Sequence, residues 1–224
     1  MSYLEFYKKN VTNSAKAIEN AIIVDDILKH NFSFDYVECI ETGVSNGLGD
    51  DNFGLYLGKF TEYFNGTMYS VDIDGERVDL SNKFIKSLIP NLTYESICKD
   101  SIEYLKEYDG RPNLVHLDSF DLDMFNPFPS MLHHWHEFLE IKDKMPIGSI
   151  LMVDDNFFKN TKVSWHTFWN GEYVKTIDII IPYEVIGKGT LIYQAVKSGK
   201  INDWKIIGEH YGEGPNLKII FKKI

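Results

Sequence analysis

From Tyr36 onward, short apolar runs alternate with stretches in which apolar residues recur at helical spacing. Tyr36 to Ile40, Thr67 to Val71, Leu92 to Ile97, Leu114 to Leu117 and Ser149 to Val153 are strand-sized runs. Between them, the segments near Asn52 to Tyr63, Glu76 to Leu88, Ser101 to Tyr108 and Ser130 to Lys142 read as helices. Strands separated by helices in this way predict a parallel sheet with crossover helices on both faces. Ahead of the sheet, Ser14 to His30 brings Ala17, Ile18, Ala21, Ile22 and Leu28 close to one helical face, with Ser14 in the N-cap position. Residues 1–33 therefore read as a helical extension.

The rhythm changes in the last third. Trp204 to Tyr211 and Leu217 to Lys223 are two strand candidates joined by Gly212-Glu213-Gly214-Pro215-Asn216. That connection is too short for a crossover helix, so the pair is expected to be an antiparallel hairpin and the sheet mixed at one edge. Between the fifth strand and this hairpin, Phe157 to Val185 carries Trp165, Trp169, Tyr173 and Tyr183 without clear periodicity. Residues 157–200 are compatible with a lid or acceptor-binding insertion, and equally with an aromatic-rich segment packed on the sheet edge. No repeat or linker interrupts residues 1–224, so one domain is expected.

Composition narrows the function classes. The 224 residues are 44% hydrophobic and 25% charged, which is globular rather than fibrous or disordered. A net charge of -10 opposes phosphate backbones at long range, so nucleic acid is not the expected partner. The N-terminus lacks an apolar segment of signal-peptide length and the longest apolar runs are strand-sized, so no membrane partner and a cytoplasmic location are expected. Cys39 and Cys98 have no metal-ligand spacing and suit buried, reduced thiols. Self-association is left open.

Candidate chemistry begins where the first strand runs into Glu41-Thr42-Gly43-Val44-Ser45-Asn46-Gly47-Leu48-Gly49-Asp50. A glycine-rich turn beyond the carboxyl end of a parallel strand lets backbone approach a ligand closely. Its G-x-x-x-G-x-G spacing is not the dinucleotide fingerprint G-x-G-x-x-G, and an acid, Glu41, precedes the first glycine. The second strand ends in Tyr69-Ser70-Val71-Asp72-Ile73-Asp74, where Asp72 could accept both hydroxyls of a ribose or could cap the next helix. After the third strand, Asp100 and Ser101 fall where an adenine edge would lie if Asp72 held a ribose, and either could be the N-cap of the helix that begins there.

Taken in order, E-x-G-x-x-x-G, the acid ending strand two, the Asp-Ser after strand three and the Asp after strand four resemble the class I S-adenosylmethionine-dependent methyltransferases. The terminal hairpin also fits that family. The resemblance implies an α/β fold with a Rossmann-like seven-stranded mixed sheet, helices on both faces and an antiparallel C-terminal hairpin. It further implies that Glu41, Gly43 and Gly47 shape the methionine pocket of S-adenosylmethionine, that Asp72 holds the ribose and that Asp100 and Ser101 flank the adenine.

Strand four ends in Leu117-Asp118-Ser119-Phe120-Asp121-Leu122-Asp123 and strand five in Val153-Asp154-Asp155-Asn156. Adjacent strands would bring these acids together, where like charges need a cation or raised pKa values. Asp118, Asp155 and Asn156 offer the hard oxygens that magnesium or a similar divalent ion takes. This pattern resembles the cation-dependent O-methyltransferases, in which an Asp after strand four and an Asp-Asn pair after strand five hold the metal. Where the catechol enzymes place a lysine base, this chain has Asp121. The resemblance thus implies methyl transfer to a small-molecule hydroxyl such as a sugar, a nucleotide-linked sugar or a related metabolite. The candidate catalytic residues are Asp118, Asp121 and, among the aromatic residues of the insertion, His166. A nicotinamide-dependent oxidoreductase is disfavoured by the missing fingerprint, and a non-catalytic cofactor-binding relative is the other alternative. His133 and His136 share a helix face without the carboxylate of a zinc motif, and His116 reads as a core residue of strand four.

Overall fold

The computed structural model describes residues 2–10, 15–48, 52–169, 172–209 and 217–224. Two helices, α1 (Tyr3–Asn10) and α2 (Ala15–Asn31), precede the sheet. Strands and helices then alternate: β1 (Glu38–Thr42), α3 (Gly54–Tyr63), β2 (Thr67–Asp72), α4 (Gly75–Leu88), β3 (Thr93–Cys98), α5 (Ser101–Glu107), β4 (Leu114–Leu117), α6 (Phe128–Ile141) and β5 (Ile150–Phe158). The remainder is β6 (Lys162–Trp169), β7 (Glu172–Ile180), β8 (Val185–Gly187), α7 (Thr190–Lys197), β9 (Trp204–Glu209) and β10 (Leu217–Lys223).

The main sheet runs β3-β2-β1-β4-β5-β10-β9, with β8 pairing β5 outside that row. β3, β2, β1, β4 and β5 are parallel, and β10 is antiparallel to both β5 and β9. The mixed Rossmann-like sheet and its antiparallel terminal hairpin are as the sequence predicts; the turn Gly212 to Asn216 and the N-cap candidate Ser14 lie outside the described residues.

Alternation of side chains along each strand builds two cores. Ile150 and Met152 of β5, Leu114 of β4 and Ile220 of β10 face a layer made with Tyr7, Leu28, Leu55 and Phe60 of the first three helices. Leu151 and Val153, Val115 and Leu117, and Ile219 and Phe221 face the opposite layer, with Leu105, Phe138 and Ile192 of α5, α6 and α7. All four residues of β4 are buried, as a strand covered on both faces requires.

β5 continues past Val153 to Phe158. The sequence ends the apolar run at Val153 and puts Asp154, Asp155 and Asn156 at the strand's end, but the strand goes on, with Asn156, Phe157 and Phe158 pairing with Gly187, Ile186 and Val185 of β8. The segment that lacked periodicity holds β6 and β7, an antiparallel pair forming a separate two-stranded sheet. Its base is tied to the main body by a small cluster of Val163 and Ile181 with Phe157, Leu122 and Met124, the last two from the loop after β4. α1 lies within residues 1–33, read from the sequence as a helical extension, whereas α7 carries no helical expectation. α1 is held by edge-on aromatic contacts of Tyr3 and Tyr7 with Tyr56.

Candidate functional site

The carboxyl ends of β1 and β4 are drawn together at Gly43. Its φ is +80°, and a Cβ there would stand 2.6 Å from the backbone oxygen of Asp118, so no side chain fits this turn. Below it Glu41 is buried, with Ser70 Oγ donating to its Oε2 at 2.9 Å and Ser45 Oγ to its Oε1 at 3.3 Å. Ser45 Oγ in turn accepts the Gly54 backbone N–H at 2.8 Å, tying the glycine turn to the start of α3. Above the turn is a cavity of about 150 Å³ lined by Glu41, Gly43, Ser45, Asn46, Arg77 and Asp118. Gly47, also at positive φ, packs against the Phe84 ring, which a Cβ would meet at 2.9 Å.

A second cavity, of about 240 Å³, lies at the ends of β2 and β3 and is lined by Asp72, Ile73, Asp100, Ser101, Ser119, Phe120 and His133. Asp72 ends β2 nearly buried; its Oδ1 accepts the Asp74 N–H at 3.0 Å and its Oδ2 is 3.7 Å from Arg77 Nε. Helix capping falls to other residues. Asp74 caps α4 through the N–H groups of Glu76 and Arg77, and Asp100 caps α5 through that of Glu103. Ser101 Oγ is 3.0 Å from His133 Nε2, and Ser119 Oγ donates to the buried Glu137 carboxylate at 2.7 Å. His133 is thus a wall of this cavity, its ring tilted against that of Phe120.

The acids of β4 and β5 converge, each on a lysine. Lys188, on the short link from β8 to α7, is buried, with its ammonium hydrogen-bonded to Asp118 Oδ1 and 2.9 Å from Asp155 Oδ2. Asp154 is buried and ion-paired to Lys218 of β10, whose ammonium also lies 4.3 Å above the Phe53 ring. His116, fully enclosed in β4, stands between Glu41 Oε1 at 3.8 Å and Asp154 Oδ2 at 3.5 Å. Burial disfavours its charge, but Asp154 and Glu41 outweigh that and raise its pKa to about 9. Burial likewise raises Asp155, whose carboxyl stands near 6 despite Lys188, because Asp154 and Asp118 repel its charge.

A divalent ion at this corner would need the oxygens of these same residues. Asn156 Oδ1 accepts the Gly189 N–H at 2.8 Å, and its Nδ2 donates to the carbonyls of Val153 and Asp154, all out of solvent. Its amide ties β5 to the backbone beside Lys188, and a lysine ammonium lies between the two proposed carboxylate ligands. His116, Asp118 and Asp154 also lie close enough to share an ion, but both carboxylates already hold lysines. As arranged, these residues do not fit a divalent cation.

The remaining catalytic candidates do not converge. Asp121 is exposed on the loop after β4 and lines neither cavity. The backbone of His166 lies in β6 opposite Thr176, and its side chain lies outside the described residues. Five further residues come to the site from the structure. Arg77 follows the cap of α4 by one turn, His133 and Glu137 form an i, i+4 pair, and Lys218 shares the buried face of β10 with Ile220. The signal for Lys188 is weaker still, a lysine between two glycines.

No family model matches the chain, and no curated protein matches it in sequence. Solved structures do share its fold. An rRNA methylase from Streptococcus thermophilus is 11% identical, with 90% of this chain and 94% of that chain covered and a TM-score of 0.54. An S-adenosylmethionine-dependent methyltransferase from Clostridium acetobutylicum is 14% identical over 99% of this chain and 97% of that chain, TM-score 0.54. The glycopeptide N-methyltransferase MtfA, complexed with S-adenosylhomocysteine, is 7% identical over 92% and 90% of the two chains, TM-score 0.54. The fold is therefore that of S-adenosylmethionine-dependent methyltransferases, and these neighbours do not single out the cation-dependent O-methyltransferases.

The expectation that nucleic acid is not a partner is corrected by the same comparison. Structures of this fold include rRNA methylases, so a net charge of -10 does not decide the acceptor class. Net charge acts through a field that salt screens within about 10 Å, whereas an acceptor is held by the local surface. Among the described residues, no helix is long and apolar enough to cross a membrane.

Proposed function

We propose that this chain transfers the methyl group of S-adenosylmethionine to an acceptor presented beside Asp118. One observation carries the reading: two adjoining cavities occupy the carboxyl ends of a sheet ordered β3-β2-β1-β4-β5-β10-β9, one over the Gly43 turn and the other between Asp72 and Ser101. The cofactor supplies an electrophilic methyl on a sulfonium, and the rest is done by the chain. Gly43 and Gly47 give the amino-acid portion its room, with Glu41 fixing the turn from beneath. Arg77 brings a cation to the same cavity, suited to a carboxylate. The Asp72 carboxylate accepts from ribose hydroxyls, and Asp100, Ser101 and the Phe120 and His133 rings enclose the base.

An oxygen acceptor is the finer reading. A hydroxyl becomes a competent nucleophile as its proton leaves, and the Asp118 carboxylate reaches the first cavity where that proton would be taken. Sugar hydroxyls of small metabolites and the ribose hydroxyls of RNA present the same chemistry, and the rRNA methylase among the fold neighbours favours including RNA. Calorimetric titration with S-adenosylmethionine and with NAD tests the donor, and tight NAD binding alone would overturn the assignment. Formation of S-adenosylhomocysteine over a panel of sugars, nucleotide sugars and RNA tests transfer. Donor binding without turnover on any acceptor would point to the non-catalytic relative.

A further inference from the structure

Lys188 has no role in the preceding scheme, yet it is among the most enclosed cations of the molecule, its side chain only 2% exposed. Its position is built rather than incidental. Gly187, at φ +146°, lies so close to β5 that a Cβ would stand 2.1 Å from the Asp155 carbonyl oxygen. On the other side, Asn156 Oδ1 holds the Gly189 N–H at 2.8 Å. Both backbone neighbours of Lys188 are thus clamped to the end of β5, and Asp155 itself adopts φ +50° there, a conformation rare for a residue with a side chain. The clamp delivers the ammonium to Asp118 and Asp155 together.

We propose that Lys188 takes the seat of a divalent cation at the β4–β5 corner, so that the chain excludes magnesium-like ions there and works without one. This rests on the proposed methyl transfer only for its consequence in catalysis. A magnesium ion needs oxygens at about 2.1 Å and several waters around it. The ammonium already stands 2.9 Å from Asp155 Oδ2 and on Asp118 Oδ1, so ion and lysine cannot share the space. Asn156, the third oxygen such an ion would use, has its amide oxygen on Gly189. In this arrangement Lys188 is a positioning residue: it holds the Asp118 carboxylate at the cavity edge and offsets repulsion between Asp118 and Asp155.

Manganese titration of the cofactor-free chain, followed by loss of the free-ion electron paramagnetic resonance signal, tests this without relying on activity. The wild-type chain is expected to take up no stoichiometric manganese below millimolar concentration, and its melting temperature should be the same in chelator and in magnesium. In Lys188→Met the two carboxylates lose their cation, and manganese affinity should rise at least tenfold; Lys188→Arg should keep the wild-type indifference. One manganese bound tightly by the wild type and lost in Asp155→Asn would overturn the proposal. So would a folded Lys188→Met as indifferent to manganese as the wild type. Should Lys188→Met fail to fold, the wild-type and Asp155→Asn titrations decide. Failure to bind S-adenosylmethionine alongside manganese indifference would remove the proposed function and leave this assignment standing.

Discussion

The two halves of one sheet edge treat their carboxylates in opposite ways. At β2 and β3, Asp72 and Asp100 face a cavity and satisfy only backbone N–H groups or a distant arginine. At β4 and β5, Asp154 is sealed against Lys218, while Asp118 and Asp155 share Lys188. The first half keeps its acceptors for a ligand, and the second has neutralised most of its charge from within. A buried ion pair contributes little net stability but is costly to break, because the survivor is left charged out of water. Variants in the corner should therefore alter folding, and variants at the open end should alter binding.

The largest effect is expected from Lys218→Met, which takes the ammonium from the buried Asp154 carboxylate and leaves it with the Asp155 N–H and His116. Chemical denaturation should show a loss of about 3–5 kcal/mol. A change below about 1 kcal/mol would mean the corner is wetter than its contacts imply.

Next is the pH response of the same corner. His116 has its pKa raised from 6.5 to about 9, so the native chain holds a proton that the unfolded chain releases between those values. Its contribution is fully present below pH 6.5 and is lost as pH rises through 9. Stability should fall by about 3 kcal/mol over that interval, and His116→Gln should flatten the slope. Denaturation midpoints from pH 6 to 9.5 measure it, and identical slopes in both proteins would discard the charged imidazole.

At the open end, Asp72→Ala should weaken S-adenosylmethionine binding by about 1.5–3 kcal/mol, roughly 10- to 150-fold, with the denaturation midpoint little changed. Unchanged affinity by calorimetry would remove Asp72 from the ribose. Asp100→Ala sharpens the contrast from the other side, since Asp100 both lines the cavity and caps α5. Loss of the cap should cost about 1 kcal/mol of stability, the smallest of these effects.

How far the sequence carried is clearest at particular elements. Leu114 to Leu117 is a strand with those same bounds, because four buried positions covered on both faces leave no ambiguity of period. The apolar run of β5 stops at Val153 in the sequence, and only pairing with β8 and β10 carries the strand through Asp154, Asp155 and Asn156 to Phe158. The β6–β7 pair carries no clear period in the sequence; its strands pair with one another, and among the described residues Val163 and Ile181 join it to the body.

What the sequence by itself determined is the order of the elements and the identity of the acids at the strand ends. Both are local matters: hydrophobic period sets helix or strand, and a strand's carboxyl end follows from where the run stops. Which cation those acids would meet is not local. Asp118 and Asp155 are 70 and 33 positions from Lys188. Nothing in the intervening sequence marks the lysine as their partner. Only the crossing of the β8–α7 link over the end of β5, forced by the close approach of Gly187, brought the ammonium to the place where spacing alone suggested a metal.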